Sequence, residues 1–361
     1  MQRGKERHIF PGSNTSEGFF SYYQYIMPQR DAEHIFCLKG GPGVGKSTFM
    51  TRIAQRLQSE GVDIEYLHCS SDPDSLDAIA MPGLRVALID GTAPHIIDPK
   101  NPGAVDEIVN LGEYWDLEGI KRHKAQIIDI NAEIGRLFAR AYRYLKAAKC
   151  MMDDCLSICG ADNTAGALAH AAQIIDKEFK GVKGTGEGKA RKMFASAITP
   201  SGVVHFLDTL FDSTYKLYLV ISCWGTGVSE MLGKIAQEAQ IRGLSAEIYY
   251  CPMDPARRIE HLVIPALKLA FVSENRYVDI EARPDAIVDL TAYADNRELD
   301  REDLKQSESE FDTLLREAVF TLRRAKDTHD ELEKLYVPSM DFEGVKKKGE
   351  EITEKILAYM K

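Results

Sequence analysis

Residues 40–47 have the types and the spacing that bind a triphosphate. They read Gly-Gly-Pro-Gly-Val-Gly-Lys-Ser and meet the pattern G-x-x-x-x-G-K-[ST]. The glycines let the backbone curl so that its N–H groups face phosphate oxygens, and Lys46 brings a positive charge to the β- and γ-phosphates. Ser47 is placed to bind Mg²⁺. The pattern predicts a site for a nucleoside triphosphate with Mg²⁺, and ATP is the expected nucleotide. The residues expected to contact it are Gly40, Gly41, Pro42, Gly43, Val44, Gly45, Lys46, Ser47 and Thr48.

An acidic residue follows a second apolar run. Residues 86–89 read Val-Ala-Leu-Ile, and Asp90 comes directly after them. In triphosphate sites a carboxylate at the end of a buried strand holds the metal and its water shell. We therefore expect Asp90 to form the metal side of the site together with Ser47.

The loop after Asp90 is polar and contains Thr92 and His95. Open α/β sheets bind ligands at the carboxyl ends of their strands, so either residue is a candidate to sense the γ-phosphate or to orient water. The predicted catalytic residues are thus Lys46, Asp90 and His95. For His95 the alternative is a loop hydrogen bond without a chemical role.

The elements that must position these residues follow from the apolar pattern. Strands that alternate with a helix predict an α/β fold with a parallel, right-handed sheet flanked by helices, which is the P-loop NTPase fold. After residue 115 the apolar spacing becomes helical and predicts a helical lobe. The predicted strands are 34–38, 63–68 and 85–90, and the predicted helices are 47–60, 116–156, 301–336 and 342–360.

The chain contains this unit twice. A shift of 184 residues places Phe10 and Thr15 over Phe194 and Thr199, and a shift of 182 gives nine identities in the 21 positions from 53 to 73. We predict a first unit at 1–182, a flexible linker at 183–190 and a second unit at 191–361. A helical lobe is expected after each sheet.

In the second unit the loop has lost its chemistry. The change of shift from 184 to 182 indicates a two-residue deletion, and the simplest placement removes the counterparts of Gly45 and Lys46. Glu230 adds a negative charge, and Ser273 takes the position of Asp90. We predict one nucleotide site per chain, with the second unit as a built-in partner. Arg257 or Arg258 is a candidate to complete that site in cis.

Composition excludes several classes of protein. A net charge of -10 argues against a surface for nucleic acid, and no apolar run approaches the roughly 20 residues of a membrane span. The first residues lead into no signal-like segment, and an odd number of cysteines favours reduced thiols. We expect a cytoplasmic protein that binds neither membrane nor nucleic acid.

Four motifs resemble those of a bacterial family of duplicated P-loop proteins of about this length. They are Phe10-x-Gly-Ser-Asn-Thr15, residues 40–48, the string Asp-Gly-Thr-Ala-Pro-His at 90–95 and the string Phe-Ala-Ser-Ala-Ile-Thr-Pro at 194–200. The resemblance covers the whole chain. Members are labelled ATPase or nucleotide-kinase-like, so the resemblance implies ATP binding and no particular physiological role.

Three functions fit these observations. The first is a Mg-dependent ATP hydrolase or ATP-driven switch, in which the nucleotide state moves the helical lobes and acts on an unknown protein partner. The second is a kinase for a nucleotide or another small-molecule acceptor, with Arg136, Arg140 and Arg143 as candidate lid residues on one helix. The third is a scaffold that senses nucleotide without hydrolysing it.

Overall fold

The computed structural model describes residues 3–92, 98–160, 164–275, 277–278, 280–293 and 301–360, which form an α/β protein. The strands of the first unit are β1 (Glu6–Ile9), β2 (Gly12–Thr15), β3 (Gly18–Ser21), β4 (His34–Lys39), β5 (Ile64–Cys69), β6 (Asp72–Met81), β7 (Val86–Asp90) and β8 (Asp106–Asn110). Its helices are α1 (Lys46–Ser59), α2 (Leu117–Lys121), α3 (Lys124–Ile158) and α4 (Ala165–Glu178).

The second unit repeats this order. Its strands are β9 (Ala190–Met193), β10 (Ser196–Thr199), β11 (Gly202–His205), β12 (Lys216–Ile221), β13 (Ala246–Tyr250), β14 (Ile259–Ile264), β15 (Leu269–Ser273) and β16 (Ala286–Asp289). Its helices are α5 (Val228–Ile241), α6 (Arg301–Tyr336) and α7 (Phe342–Leu357).

Each unit builds a six-stranded sheet with the same strand order. The orders are β1-β5-β6-β7-β4-β8 and β9-β13-β14-β15-β12-β16, so the duplication predicted from the sequence is also present in the topology. β4 lies between β7 and β8 and is parallel to both, which places the residues after β4 and after β7 at one edge of the sheet.

The prediction of a parallel sheet is wrong for one strand in each unit. β6 is antiparallel to both β5 and β7, and β14 is antiparallel to β13 and β15. Only two residues separate β5 from β6, and a parallel pair requires a crossover of a dozen residues or more. The segment after β5 therefore turns back as a hairpin, and Asp72 is the first residue of its second strand.

A third sheet joins the two units. Its order is β11-β10-β2-β3, and β2 pairs antiparallel with β10 where Asn14 faces Ile198. The buried amide of Asn14 donates to the backbone oxygen of Ile198 at 2.8 Å and to that of Ser70 at 3.1 Å. The polar segment 12–16 is thus an inter-unit strand with its turn.

The two longest helices pack along each other in opposite directions. Ser307 at the start of α6 donates to Asp154 near the end of α3 at 2.5 Å, and apolar residues of both helices form one buried cluster. Each helix leaves its own sheet and ends at the other unit.

The helical lobes are exchanged between the units as a result. α4 of the first unit packs on α5 of the second, where Ala171 and Ile174 share a core with Leu232. α7 of the second unit packs on α1 of the first, where Ile352 shares a core with Ile53. A lobe follows each sheet along the chain, as expected, but in space it covers the other sheet. Among the described helices, none has the length and apolar character needed to cross a membrane.

Candidate functional site

Residues 40–47, hereafter the first loop, connect β4 to α1. Gly43 and Gly45 have φ angles of 68° and 82°, in the left-handed region that favours glycine. Gly45 is the N-cap of α1, so the loop ends with the free N–H groups and the positive dipole end of a 14-residue helix. The loop is thus a glycine-rich turn that leads directly into the N-terminus of a helix.

Lys46 and Asp90 come together at the base of the first loop. The ammonium Nζ of Lys46 donates to the backbone oxygens of Gly40 at 2.9 Å and Gly41 at 3.0 Å. The same nitrogen lies 3.5 Å from Oδ2 of Asp90, and each side chain is only 12% exposed. Lys46 and Asp90, which were predicted from separate motifs, thus lie next to each other in a largely buried position beside the first loop.

The carboxylate of Asp90 is oriented by its neighbour Thr92. Oδ1 of Asp90 accepts from the backbone N–H of Thr92 at 2.9 Å and from its hydroxyl at 2.5 Å. Thr92, predicted as a γ-phosphate sensor or a water-orienting residue, therefore fixes one carboxylate oxygen while the other faces Lys46. His95 lies outside the described residues.

The hydroxyl of Ser47 contacts the neighbouring antiparallel strand. Oγ of Ser47 accepts from the backbone N–H of Leu76 on β6 at 3.1 Å. Ser229 makes the corresponding contact in the second unit and accepts from Ile259 on β14 at 3.0 Å. This contact occurs in both units, so it fixes the start of the helix whether or not a lysine precedes the serine.

The second unit contributes the residues that cover the first loop. The backbone N–H of Gly43 donates to Oε1 of Glu333 on α6 at 3.2 Å. A Cβ atom on Gly41 would lie 3.6 Å from the ring of Tyr336, and one on Gly45 would lie 3.6 Å from the ring of Phe342. The two residues in each of these contacts are about 290 positions apart in the sequence, so no local motif predicts the contacts.

A shallow cavity of about 400 Å³ opens beside this cover. Residues 113–116 form one wall and residues 338–341 the other. The indole ring of Trp115 lies at the junction, where a Cβ atom on Gly41 would meet it at 3.2 Å. The buried Nε1 of Trp115 has no hydrogen-bond partner among the described residues.

The second loop, residues 222–229, keeps the shape of the first without its charges. Gly225 and Gly227 have φ angles of 76° and 81°, and Gly227 is the N-cap of α5. These values align Gly227 with Gly45 and Val228 with Lys46. The predicted two-residue deletion is therefore wrong in position. The two units already differ by 182 positions at β4 and β12, before the loop, so nothing is deleted within the loop. The lysine is replaced by Val228. Ser273 ends β15 as Asp90 ends β7.

The lobe of the first unit covers the second loop in turn. A Cβ atom on Gly227 would lie 2.9 Å from the Cβ of Ala167 and 3.2 Å from the Cα of Thr164. Arg257 and Arg258, proposed from the sequence to reach the nucleotide site, line a cavity of about 170 Å³ at this second loop.

One stretch of the chain matches the model of a known family. A model of the family described as nephrocystin 3, N-terminal, matches residues 14–81, which is less than a fifth of the chain and includes the first loop. No curated protein and no solved structure matches the chain.

Proposed function

We propose that the chain binds Mg·ATP at the first loop and works as an ATP hydrolase or ATP-driven switch with one site per chain, on a P-loop NTPase fold. The observation that carries the proposal is the 3.5 Å separation of Lys46 Nζ and Asp90 Oδ2 beside the N-terminus of α1. A cation and an acid at the end of a helix that attracts anions are the complement of a metal-bound polyphosphate.

The roles of the residues follow from their chemistry. The loop amides and the dipole of α1 stabilise phosphate charge, and Lys46 exchanges its contacts with Gly40 and Gly41 for phosphate oxygens. Hydroxyl and carboxylate oxygens are the ligands that Mg²⁺ prefers, and Ser47 and Asp90 offer them. Bound Mg²⁺ would supply positive charge to the phosphates. Thr92 holds the Asp90 carboxylate in its orientation.

The cavity beside Trp115 suits the nucleoside. Trp115 belongs both to its lining and to the surroundings of Gly41 in the first loop, and the indole ring provides a face on which a base can stack. Asp116 and Asp341 in its walls cap α2 and α7 through Oδ1, and their second carboxylate oxygens are candidate acceptors for an amino group of the base.

The arginines considered for a kinase lid are engaged on their own helix. Arg136 pairs with Glu133 at 2.6 Å on the exposed side of α3, and the guanidinium of Arg140 lies over the ring of Tyr144. These contacts are those of a solvated helix face, so they do not favour the kinase over the switch.

Steady-state ATP turnover tests the proposal. Wild-type protein, Lys46→Ala and Asp90→Asn are compared at saturating Mg²⁺, with an assay for released phosphate. Turnover in the wild type that is lost in both variants supports an ATPase. Tight binding without turnover would move the proposal to a sensing scaffold, and neither binding nor turnover would sink it.

A further inference from the structure

A carboxylate of the second unit lies on an amide of the first loop. Oε1 of Glu333 accepts from the N–H of Gly43 at 3.2 Å, from a position 290 residues further along the chain. Backbone N–H groups of such a loop are the donors that phosphate oxygens use. Glu333 therefore offers this loop an anion that belongs to the protein itself.

The side chain of Glu333 is free to leave. It is 42% exposed, Nδ1 of His329 lies 3.9 Å from its Oε1, and a carboxylate oxygen of Asp330 lies within 4.8 Å of a Glu333 oxygen. Little apolar surface is uncovered when a half-exposed carboxylate swings into water. A phosphate and a carboxylate cannot share one N–H donor, because their negative charges repel each other at contact distance.

The body of α6 rests on the loop as well. A Cβ atom on Gly43 would lie 3.3 Å from the backbone oxygen of Glu333 and 3.1 Å from a methyl group of Val337. The Glu333 carboxylate would therefore be displaced at the point where the last turn of α6 contacts the loop. A movement of the loop on phosphate binding would change the packing of the end of α6.

We propose that Glu333 is an internal competitor of the nucleotide phosphates: it occupies the Gly43 amide when the site is empty and leaves when a triphosphate binds. The inference rests on the proposed function and gives that site its regulation. Binding of nucleotide then frees the C-terminal end of α6 from the first loop, and docking of Glu333 opposes binding.

The same helix carries this change to the second loop. Near its other end, Oε1 of Glu308 accepts from the indole N–H of Trp224 in the second loop at 2.8 Å. Glu308 and Glu333 are 25 residues apart, or about 37 Å along a helix. α6 thus connects the nucleotide site with the loop that has lost its own chemistry.

Calorimetric titration of the full chain with Mg·ATP tests the competition. Glu333→Ala and Glu333→Gln remove the carboxylate, and Glu331→Gln is the matched control. Glu331 is on the same helical turn, is 62% exposed and pairs with Lys334 instead of the loop. We expect Glu333→Ala to bind about 10-fold more tightly than wild type, the effect of one charge-assisted hydrogen bond lost by the competitor. The Mg·ATP affinity of Glu333→Gln should lie between those of wild type and Glu333→Ala. The affinity of Glu331→Gln should be within about 2-fold of wild type.

The outcomes separate this inference from the proposed function. Wild type that binds Mg·ATP with the same or a better affinity than Glu333→Ala overturns the competition and leaves the nucleotide site intact. Absence of binding in every variant, with unchanged thermal unfolding, overturns both.

Discussion

The guanidinium of Arg7 on β1 donates to the carboxylate of Glu247 on β13 at 2.5 Å, across the boundary between the two units. Their repeat counterparts, Arg191 and Glu65, pair at 2.6 Å, and Arg7 also contacts Glu65 at 3.2 Å. Burial would raise the pKa of Glu247, but the two guanidinium groups hold it below its usual value. This buried group of four alternating charges fixes how the units meet.

Arg7→Met should lower the free energy of unfolding by about 3 kcal/mol, the low end of the cost of breaking a buried ion pair, because Glu247 loses its nearest guanidinium and keeps that of Arg191 at 3.7 Å. Lys189→Met is the control, since it removes a lysine whose pair with Asp31 is largely exposed. That loss should be below about 1 kcal/mol. Urea unfolding of the two variants measures both, and equal stability of Arg7→Met and wild type would refute the role of the network.

Thr92→Val should reduce ATP turnover by about 10-fold or more, because residues that orient a metal-side carboxylate typically contribute that much. The substitution removes the hydroxyl that holds Oδ1 of Asp90 and preserves the shape of the side chain. Thr291→Val is a matched control, because Thr291 makes the same two hydrogen bonds to Asp289 in the second unit. Equal activity of the two variants would mean that Thr92 does not act through Asp90.

Ser47→Ala and Ser229→Ala form a second matched pair. Each removes a hydroxyl that accepts from a strand amide, so each should cost about 1 kcal/mol of stability. Only Ser47→Ala should weaken Mg·ATP binding, because the second loop has Val228 in place of the lysine. Thermal unfolding with and without Mg·ATP measures both effects, and equal loss of nucleotide-induced stabilisation in the two variants would contradict a single site.

Acid should destabilise the protein between about pH 6.5 and pH 4. Burial lowers the pKa of His68 to about 4 and that of His261 to about 3. In this range the unfolded chain binds protons that the folded chain does not, so the free energy of unfolding decreases as the pH is lowered. The total decrease is about 1.4 kcal/mol for each histidine per unit of difference between its unfolded and folded pKa.

Replacement of His68 isolates its share of this acid sensitivity. His68→Gln should flatten the fall measured by urea unfolding at pH 7, 5.5 and 4.5, although loss of the bond to Pro73 lowers stability at every pH. His123→Gln, at an exposed histidine, should keep the wild-type slope. An unchanged slope in His68→Gln would contradict the assignment.

Local features of the site follow from the sequence, and contacts between the units do not. The first loop is encoded within eight residues, and the run before Asp90 is apolar throughout, so their positions at adjacent strand ends could be predicted. β6 could not be predicted, because its first residues, 72–75, read Asp-Pro-Asp-Ser and have the composition of a loop. Here only the two-residue connection to β5 reveals a hairpin.

The exchange of helical lobes has no sequence signal in either unit. The amphipathic pattern of α7 predicts that one of its faces is buried against an apolar surface, but it does not identify that surface. The face of α1 that contains Ile53 is one of several apolar surfaces in the chain that could cover it. Glu333 illustrates the consequence, since nothing near it in the sequence indicates that it reaches Gly43.

The most direct test of the central claim is calorimetric titration of Mg·ATP into wild type and Lys46→Ala. The account predicts one ATP per chain for the wild type, and for Lys46→Ala an affinity lower by about 10- to 100-fold, the effect of losing a charged hydrogen-bond donor. Two sites per chain, equal affinities, or no binding by the wild type would each contradict a single nucleotide site built on the first loop.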